Sequence, residues 1–284
     1  MAGKLRHGLN CLWPSEIADQ FYCEYKVHLK RLHPEVLIKL PSLELGETSH
    51  TALVSQAKPI TSSEIAQSIR MGKKVAICEW ALEGSFDGVP IRGRPDFFSF
   101  EGKRALLVLD FKFSGAKEPF PNHKVQAEVY ALLTGRMDFS TEELCLGIVM
   151  FPSTGFVGSH REAGATKAAR LQLLKEDGTL HKISERCEQA RRELLAGRTK
   201  KTTIESQDWK AFLFRFDARK AARDLAWALE YWLDEREPIP VKRWPRKCFA
   251  CPLNAVMLCE HAMQKPDPCF EVRRQPDGRV LVCR

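Results

Sequence analysis

Apolar and polar positions in this chain follow two periods, and the shorter period marks its centre. Ala105-Leu106-Leu107-Val108-Leu109 is an unbroken apolar run, short enough to be a strand buried on both faces. Phe97-Phe98-Ser99-Phe100 is aromatic-rich, as strands are, and Glu101-Gly102-Lys103-Arg104 reads as the turn between the two. The pattern predicts a hairpin over 96–112. Folding about that turn sets Asp96 roughly opposite Leu109 and Asp110. Period-two alternation then puts Asp110 and Lys112 on one face and Phe111 on the other. Val125 to Leu133 has helical spacing, and Leu144 to Phe151 is a second buried strand. A strand, a crossover helix and a strand predict a right-handed unit in a mixed sheet.

The remaining segments read more locally. Residues 10–33 are predicted helical, with Ser15 as the cap. Residues 44–72 form one or two helices, broken near Pro59 and restarted at Thr61 or Ser62 with Glu64 in the first turn. Val75 to Glu83 reads as a strand entering the Asp87-Gly88 turn, and Val89 to Gly93 leaves it. Together with the hairpin this predicts a meander of at least three strands. A strand is expected at Ala169–Leu174, a helix at Ile183–Leu195, and a solvated basic loop at Arg198-Thr199-Lys200-Lys201-Thr202. Ala218 to Glu235 is amphipathic, with Ala222, Leu225, Ala226, Leu229 and Trp232 on one side, and Pro238-Ile239-Pro240 ends it.

Composition narrows the classes. The 284 residues can bury a sizeable core as a single domain, and a net charge of +8 favours a polyanionic partner, most simply nucleic acid. The start, Met1 to His7, lacks the apolar stretch of a signal peptide, and no run approaches a membrane span. Ten cysteines without a secretory signal point to thiols or metal ligands in a reducing compartment, so a cytoplasmic location is expected.

The candidate chemistry sits at the end of the buried strand, where Asp96, Asp110 and Lys112 converge. Two close carboxylates repel, and a divalent cation removes that repulsion. Hard oxygen ligands suit Mg²⁺ or Mn²⁺, which also take a substrate phosphate oxygen. A neighbouring lysine can then hold the attacking water and stabilise an anionic transition state. The bland alternative is a salt bridge at a strand end. Gln126 and Tyr130 are spaced i, i+4 and so share a helix face just downstream, and His50 lies on the helix upstream.

The series of a helical histidine, Gly93-Arg94-Pro95-Asp96, Asp110-Phe111-Lys112 and Gln126-x-x-x-Tyr130 resembles the PD-(D/E)xK nuclease superfamily, in its RecB-like exonuclease branch. The resemblance implies an α/β fold with a restriction-endonuclease-like mixed sheet flanked by helices. It implies that His50, Asp96, Asp110 and the carbonyl of Phe111 bind Mg²⁺ or Mn²⁺. Lys112 would position the water, and Gln126 and Tyr130 would orient Lys112 and the scissile phosphate. The substrate class implied is single-stranded DNA ends.

A second constellation follows the last long helix. Cys248-Phe249-Ala250-Cys251 and then Cys259 are three clustered thiols, and a closed metal site needs a fourth ligand from Cys23, His261 or Cys269. Here the chain is similar to the iron–sulfur members of that branch, the AddB and CRISPR-associated exonucleases. They carry one cysteine before the nuclease core and three after it. The resemblance implies a 4Fe-4S cluster on Cys23, Cys248, Cys251 and Cys259, with zinc as the alternative ion. The gap from Cys251 to Cys259 is wider than the family's usual spacing, which keeps His261 and Cys269 open as the last ligand. Such a cluster would clamp the two ends of the chain around the core. Cys11, Cys78, Cys145, Cys187 and Cys283 read as ordinary residues.

The whole then reads as a single nuclease domain over 1–284. Its core spans about 44–155, and helical and cluster-binding segments span about 10–33 and 215–270. No Walker-type Gly-Lys-Ser/Thr loop is present, so the sequence carries no ATPase signature. The expected setting is CRISPR spacer acquisition or DNA repair, beside CRISPR adaptation proteins or a helicase. The alternative is a nucleic-acid-binding module stapled by a four-cysteine metal site, without catalysis.

Overall fold

The computed structural model describes residues 5–114, 116, 118–151, 178–197, 199–241 and 244–284, apart from the side chains of residues 41–43 and 45. The chain folds as a mixed α/β structure. Its centre is a six-stranded sheet of β2 (Lys74–Ile77), β5 (Phe97–Glu101), β6 (Arg104–Lys112), β7 (Cys145–Met150), β9 (Lys210–Arg215) and β8 (Lys201–Glu205), in that order. β6 runs parallel to β7, and the other neighbours are antiparallel. The long helix α4 (Pro121–Arg136) makes the crossover between β6 and β7.

The continuous apolar run of β6 is explained by burial on both faces. Val108 packs with Leu146 and Ile148 of β7 and with Val125, Val129 and Leu133 of α4. Leu107, Leu109 and Phe111 pack on the opposite side with Ile183, Cys187 and Leu194 of α5 (Thr179–Ala196) and with Leu53 of α2 (Pro41–Val54). Asp110 and Lys112 share the parity of Val108, so they face α4. α1 (Pro14–Leu32) and α6 (Ala218–Trp232) complete the α4 side through Ile17, Ala18, Leu225 and Trp232.

Several local expectations differ from the structure. α1 is capped not by Ser15 but by the backbone of Trp13, whose N–H donates to Glu16 Oε2 at 3.0 Å. Pro14, which has no N–H to satisfy, opens the helix. α3 (Ser62–Arg70) does start at Thr61, whose hydroxyl and Glu64 form a reciprocal capping box. The strand over 75–83 is broken: after β2 the chain bends at Glu79, with φ 51°, and resumes as β3 (Leu82–Phe86). The anticipated meander is therefore divided. β3 and β4 (Val89–Gly93) form a two-stranded sheet of their own, while β2 turns back to pair with β5. Lys201 and Thr202 lie in β8, where β9 supplies their pairing, rather than in a loop. The amphipathic face of α6 is rotated: Ala221 and Ala228 are buried with Leu225, Leu229 and Trp232, while Ala222 and Ala226 are exposed. The strand expected at 169–174 lies outside the described residues.

The two ends of the chain meet. β1 (Val36–Lys39) pairs parallel with β11 (Val280–Cys283), which also pairs with β10 (Glu271–Arg274). Glu24 of α1 is 1% exposed and is held by Arg236, by the Ile239 N–H at 2.8 Å and by Gln20 Nε2 at 2.7 Å. A carboxylate buried this deeply needs that full set of donors. Two short helices, α7 (Pro245–Phe249) and α8 (Pro252–Ala255), carry the cysteine segment against α1. Among the described residues, no helix is long and apolar enough to cross a membrane.

Candidate active site and cysteine cavity

The hairpin register delivers the first two acids. Phe97 pairs with Leu109, so Asp96, one residue earlier, stands opposite Asp110. One oxygen of Asp96 accepts the backbone N–H of Phe111, and the other meets His50 Nε2 at 2.9 Å. In a strand the N–H and C=O of one residue point to the same side, so the Phe111 carbonyl also faces the carboxylates. The hydrogen bond that His50 makes to the Asp96 carboxylate raises the His50 pKa against its partial burial. His50, Asp96, Asp110 and Phe111 thus meet at one end of the sheet.

Asp110 is 1% exposed. Lys112 Nζ lies 2.8 Å from its Oδ2. The other oxygen, Oδ1, has no hydrogen-bond partner among the described residues. Burial pushes the Asp110 carboxyl up; Lys112 pulls it back, and Asp96 adds to the push. Burial works against the charge of Lys112, and Asp110 and Asp96 outweigh it, so that pKa is raised. A buried carboxylate with unfilled lone pairs, facing a second carboxylate, is a donor set suited to a hard cation.

α4 supplies the third element. Gln126 Oε1 accepts from Lys112 Nζ at 3.0 Å, and Gln126 Nε2 donates to the Tyr130 hydroxyl at 3.3 Å. The ring of Tyr130 fits because residue 93 is glycine. A Cβ there would come within 2.7 Å of Tyr130 Cε1 and of Pro14 Cγ. The glycine of Gly93-Arg94-Pro95-Asp96 is therefore a packing requirement of the site itself. The i, i+4 pair holds the lysine from outside the sheet.

Sequence reasoning missed two neighbours. Glu79, exposed and at positive φ, adds a third carboxylate whose charge acts on the His50 imidazole. No local pattern marks it, because the bend that brings it in is held by its N–H to the Pro95 carbonyl at 3.1 Å. His123 lies one helical turn before Gln126, and its pKa is lowered to about 4 by burial and then by Lys112. The i, i+3 spacing of 123 and 126 was the available signal.

The cysteines gather elsewhere. Cys23, Cys248, Cys251 and Cys259 line one cavity with Tyr22, Lys26 and Lys247. Cys23 leaves the helical conformation inside α1, with φ −166° and ψ 104°, and the helix is kinked there. Lys247 Nζ donates to the Tyr22 carbonyl at 2.7 Å, which ties the two segments together. Of the other candidate ligands, the His261 ring packs edge-on against Tyr25 at 4.6 Å, and Cys269 is exposed with its N–H on Asp267 Oδ1. Neither lines the cavity. Among the described residues, no three His, Cys, Asp or Glu side chains are placed to hold a metal ion.

No family model matches the chain, and no curated protein matches it. One solved structure, titled "Crystal structure of SSO0001", superposes with a TM-score of 0.44 at 15% identity, covering 89% of this chain and 87% of that chain.

Proposed function

We propose that this protein is a Mg²⁺- or Mn²⁺-dependent deoxyribonuclease of the RecB-like PD-(D/E)xK type, acting on the ends of single-stranded DNA. The observation that carries the reading is the buried Asp110, with Oδ1 lacking a partner among the described residues and Oδ2 beside the Lys112 ammonium, set opposite Asp96. The sheet around them would then be the restriction-endonuclease-like core, with β5, β6 and β7 at its middle.

The divalent ion would supply charge neutralisation and a more acidic water at the phosphate. Its ligands on this chain would be Asp96, Asp110, His50 and the Phe111 carbonyl. Lys112 would hold the water in line and offset the charge developing on the phosphate. Gln126, by accepting from Lys112, aims the ammonium, and Tyr130 fixes the Gln126 amide. The cavity lined by Cys23, Cys248, Cys251 and Cys259 is proposed to hold a 4Fe-4S cluster that staples α1 to the C-terminal segment. The support is that all four thiols line the same cavity, and they would have to close together to ligate; zinc is the alternative ion. A helicase or CRISPR adaptation proteins would present the strand.

Two experiments test this. The full-length protein should degrade single-stranded DNA with Mg²⁺ or Mn²⁺, and Asp110→Ala or Lys112→Ala should abolish the cleavage with the fold intact. Cleavage that persists in both variants overturns the site assignment, and binding without cleavage by the wild type leaves a non-catalytic module. Protein purified anaerobically should absorb broadly at roughly 400 nm and hold about four irons per chain. A colourless protein with one zinc removes the cluster but not the nuclease site.

A further inference from the structure

The first turn of α4 joins the carboxylate site to the cysteine cavity, and its surface differs from the rest of the helix. Phe120, the residue that opens α4, is 44% exposed. Its ring is braced edge-on by Tyr22 at 6.3 Å and by His123 at 5.5 Å. Neither neighbour stacks flat against it, so a flat ring can still lie on the exposed part. On one side His123 feels the charge of Lys112. On the other, Tyr22 lines the cysteine cavity and carries two ammonium groups, Lys247 Nζ at 4.3 Å and Lys26 Nζ at 5.4 Å from the ring centroid. His123 stands one helical turn before Gln126, which accepts from Lys112 Nζ at 3.0 Å, so ring contacts and one turn of α4 link Lys112 to Tyr22 through Phe120.

We propose that Phe120, braced by Tyr22 and His123, is the stacking platform for a base of single-stranded DNA next to the phosphate held over Asp96, Asp110 and Lys112. This rests on the nuclease reading above and adds where the strand runs, from the carboxylates across the α4 start to the rim of the cysteine cavity. An exposed aromatic beside cations is what a single strand needs. Every base has a π face to stack, and every nucleotide has a phosphate to pair with an ammonium such as Lys26. A protein-docking patch would have no use for lysines packed on the adjoining ring. The unpaired Nδ1 of His123 adds a polar atom beside the platform, without a hydrogen-bond partner among the described residues.

The test is binding of fluorescent oligothymidylate to the full-length protein in EDTA, where no cleavage occurs, alongside an abasic strand of the same length. Phe120→Ala should weaken oligothymidylate binding about 5- to 150-fold, the worth of one stacked base at ~1–3 kcal/mol. Phe120→Leu, which keeps apolar bulk but has no π face, should fall with it, and Phe120→Trp should bind like the wild type. On the abasic strand all four proteins should bind alike. Equal binding of thymidylate by Phe120→Leu and wild type overturns the platform, as does a loss of equal size on the abasic strand. Wild-type protein that neither binds nor cleaves the strand overturns the nuclease reading and the platform together. Wild type that cleaves alongside unaffected Phe120 variants overturns the platform alone.

Discussion

His50 Nε2 and Asp96 Oδ1 stand 2.9 Å apart, although the residues are separated by 46 positions in the chain. The second oxygen of Asp96 takes the Phe111 N–H, so one carboxylate ties α2 to the end of β6 and fixes its own position against Asp110. The result is a concentration of negative charge that, among the described residues, is ion-paired with Lys112 and His50.

A divalent cation should therefore stabilise the fold. Mg²⁺ or Mn²⁺ at a hundred times its dissociation constant adds about 2.7 kcal/mol by mass action. Thermal melting of the wild type should shift upward with the cation, and Asp110→Asn should melt at the same temperature with and without it. An equal shift in that variant places the ion elsewhere.

Gln126 accepts from the Lys112 ammonium without lying on the sheet. Gln126→Leu removes an acceptor for a charged donor, an interaction worth ~1.5–3 kcal/mol. Cleavage kcat/KM should drop about 10- to 100-fold with the melting temperature little changed. Tyr130→Phe, which loses only the hydroxyl that positions the amide, should cost less. An unaltered rate in Gln126→Leu would mean that Lys112 needs no aiming.

His123 predicts a slope in stability with pH. Burial holds its folded pKa at about 4, below the usual imidazole value of 6.5. As the pH falls below 6.5, the unfolded chain takes up the proton first, so stability drops until about pH 4 and levels off below it. The full shift corresponds to at most ~3 kcal/mol, and solvent at the half-open ring reduces that to roughly half. Urea denaturation between pH 7 and 4 should show a shallower slope for His123→Gln than for the wild type.

Gly93 is where the site and the core compete for space. Gly93→Ala sets a methyl 2.7 Å from both Pro14 Cγ and Tyr130 Cε1. Overpacking of this kind costs ~1–3 kcal/mol. The start of α1 or the ring of Tyr130 must move, and the second movement should also slow cleavage. A variant as stable as the wild type by urea titration would mean that α1 yields freely.

What the sequence determined is local. Apolar runs and period-two alternation set the hairpin and the shared face of Asp110 and Lys112, because the pleat alternates side chains. Helical spacing likewise put Gln126 and Tyr130 on one face. These relations span at most a few turns of chain, so near neighbours encode them. A register shift between Ser99 and Phe100, which no local pattern marks, sets Asp96 opposite Asp110 instead of Leu109. What only the tertiary structure decided lies between distant segments. Packing of α2 on the sheet brought His50 to Asp96. The bend at Glu79 split the expected meander and added a third acid. Packing of α1 on the C-terminal segment set Cys23 beside Cys248, Cys251 and Cys259, and packing of α1 on α4 put Tyr22 against Phe120. Such meetings depend on which faces bury against which, and burial is nearly indifferent to the identity of the polar residue carried at its edge. That indifference is why the exposed Glu79 and Phe120, the residue that caps α4, carry no mark in the sequence.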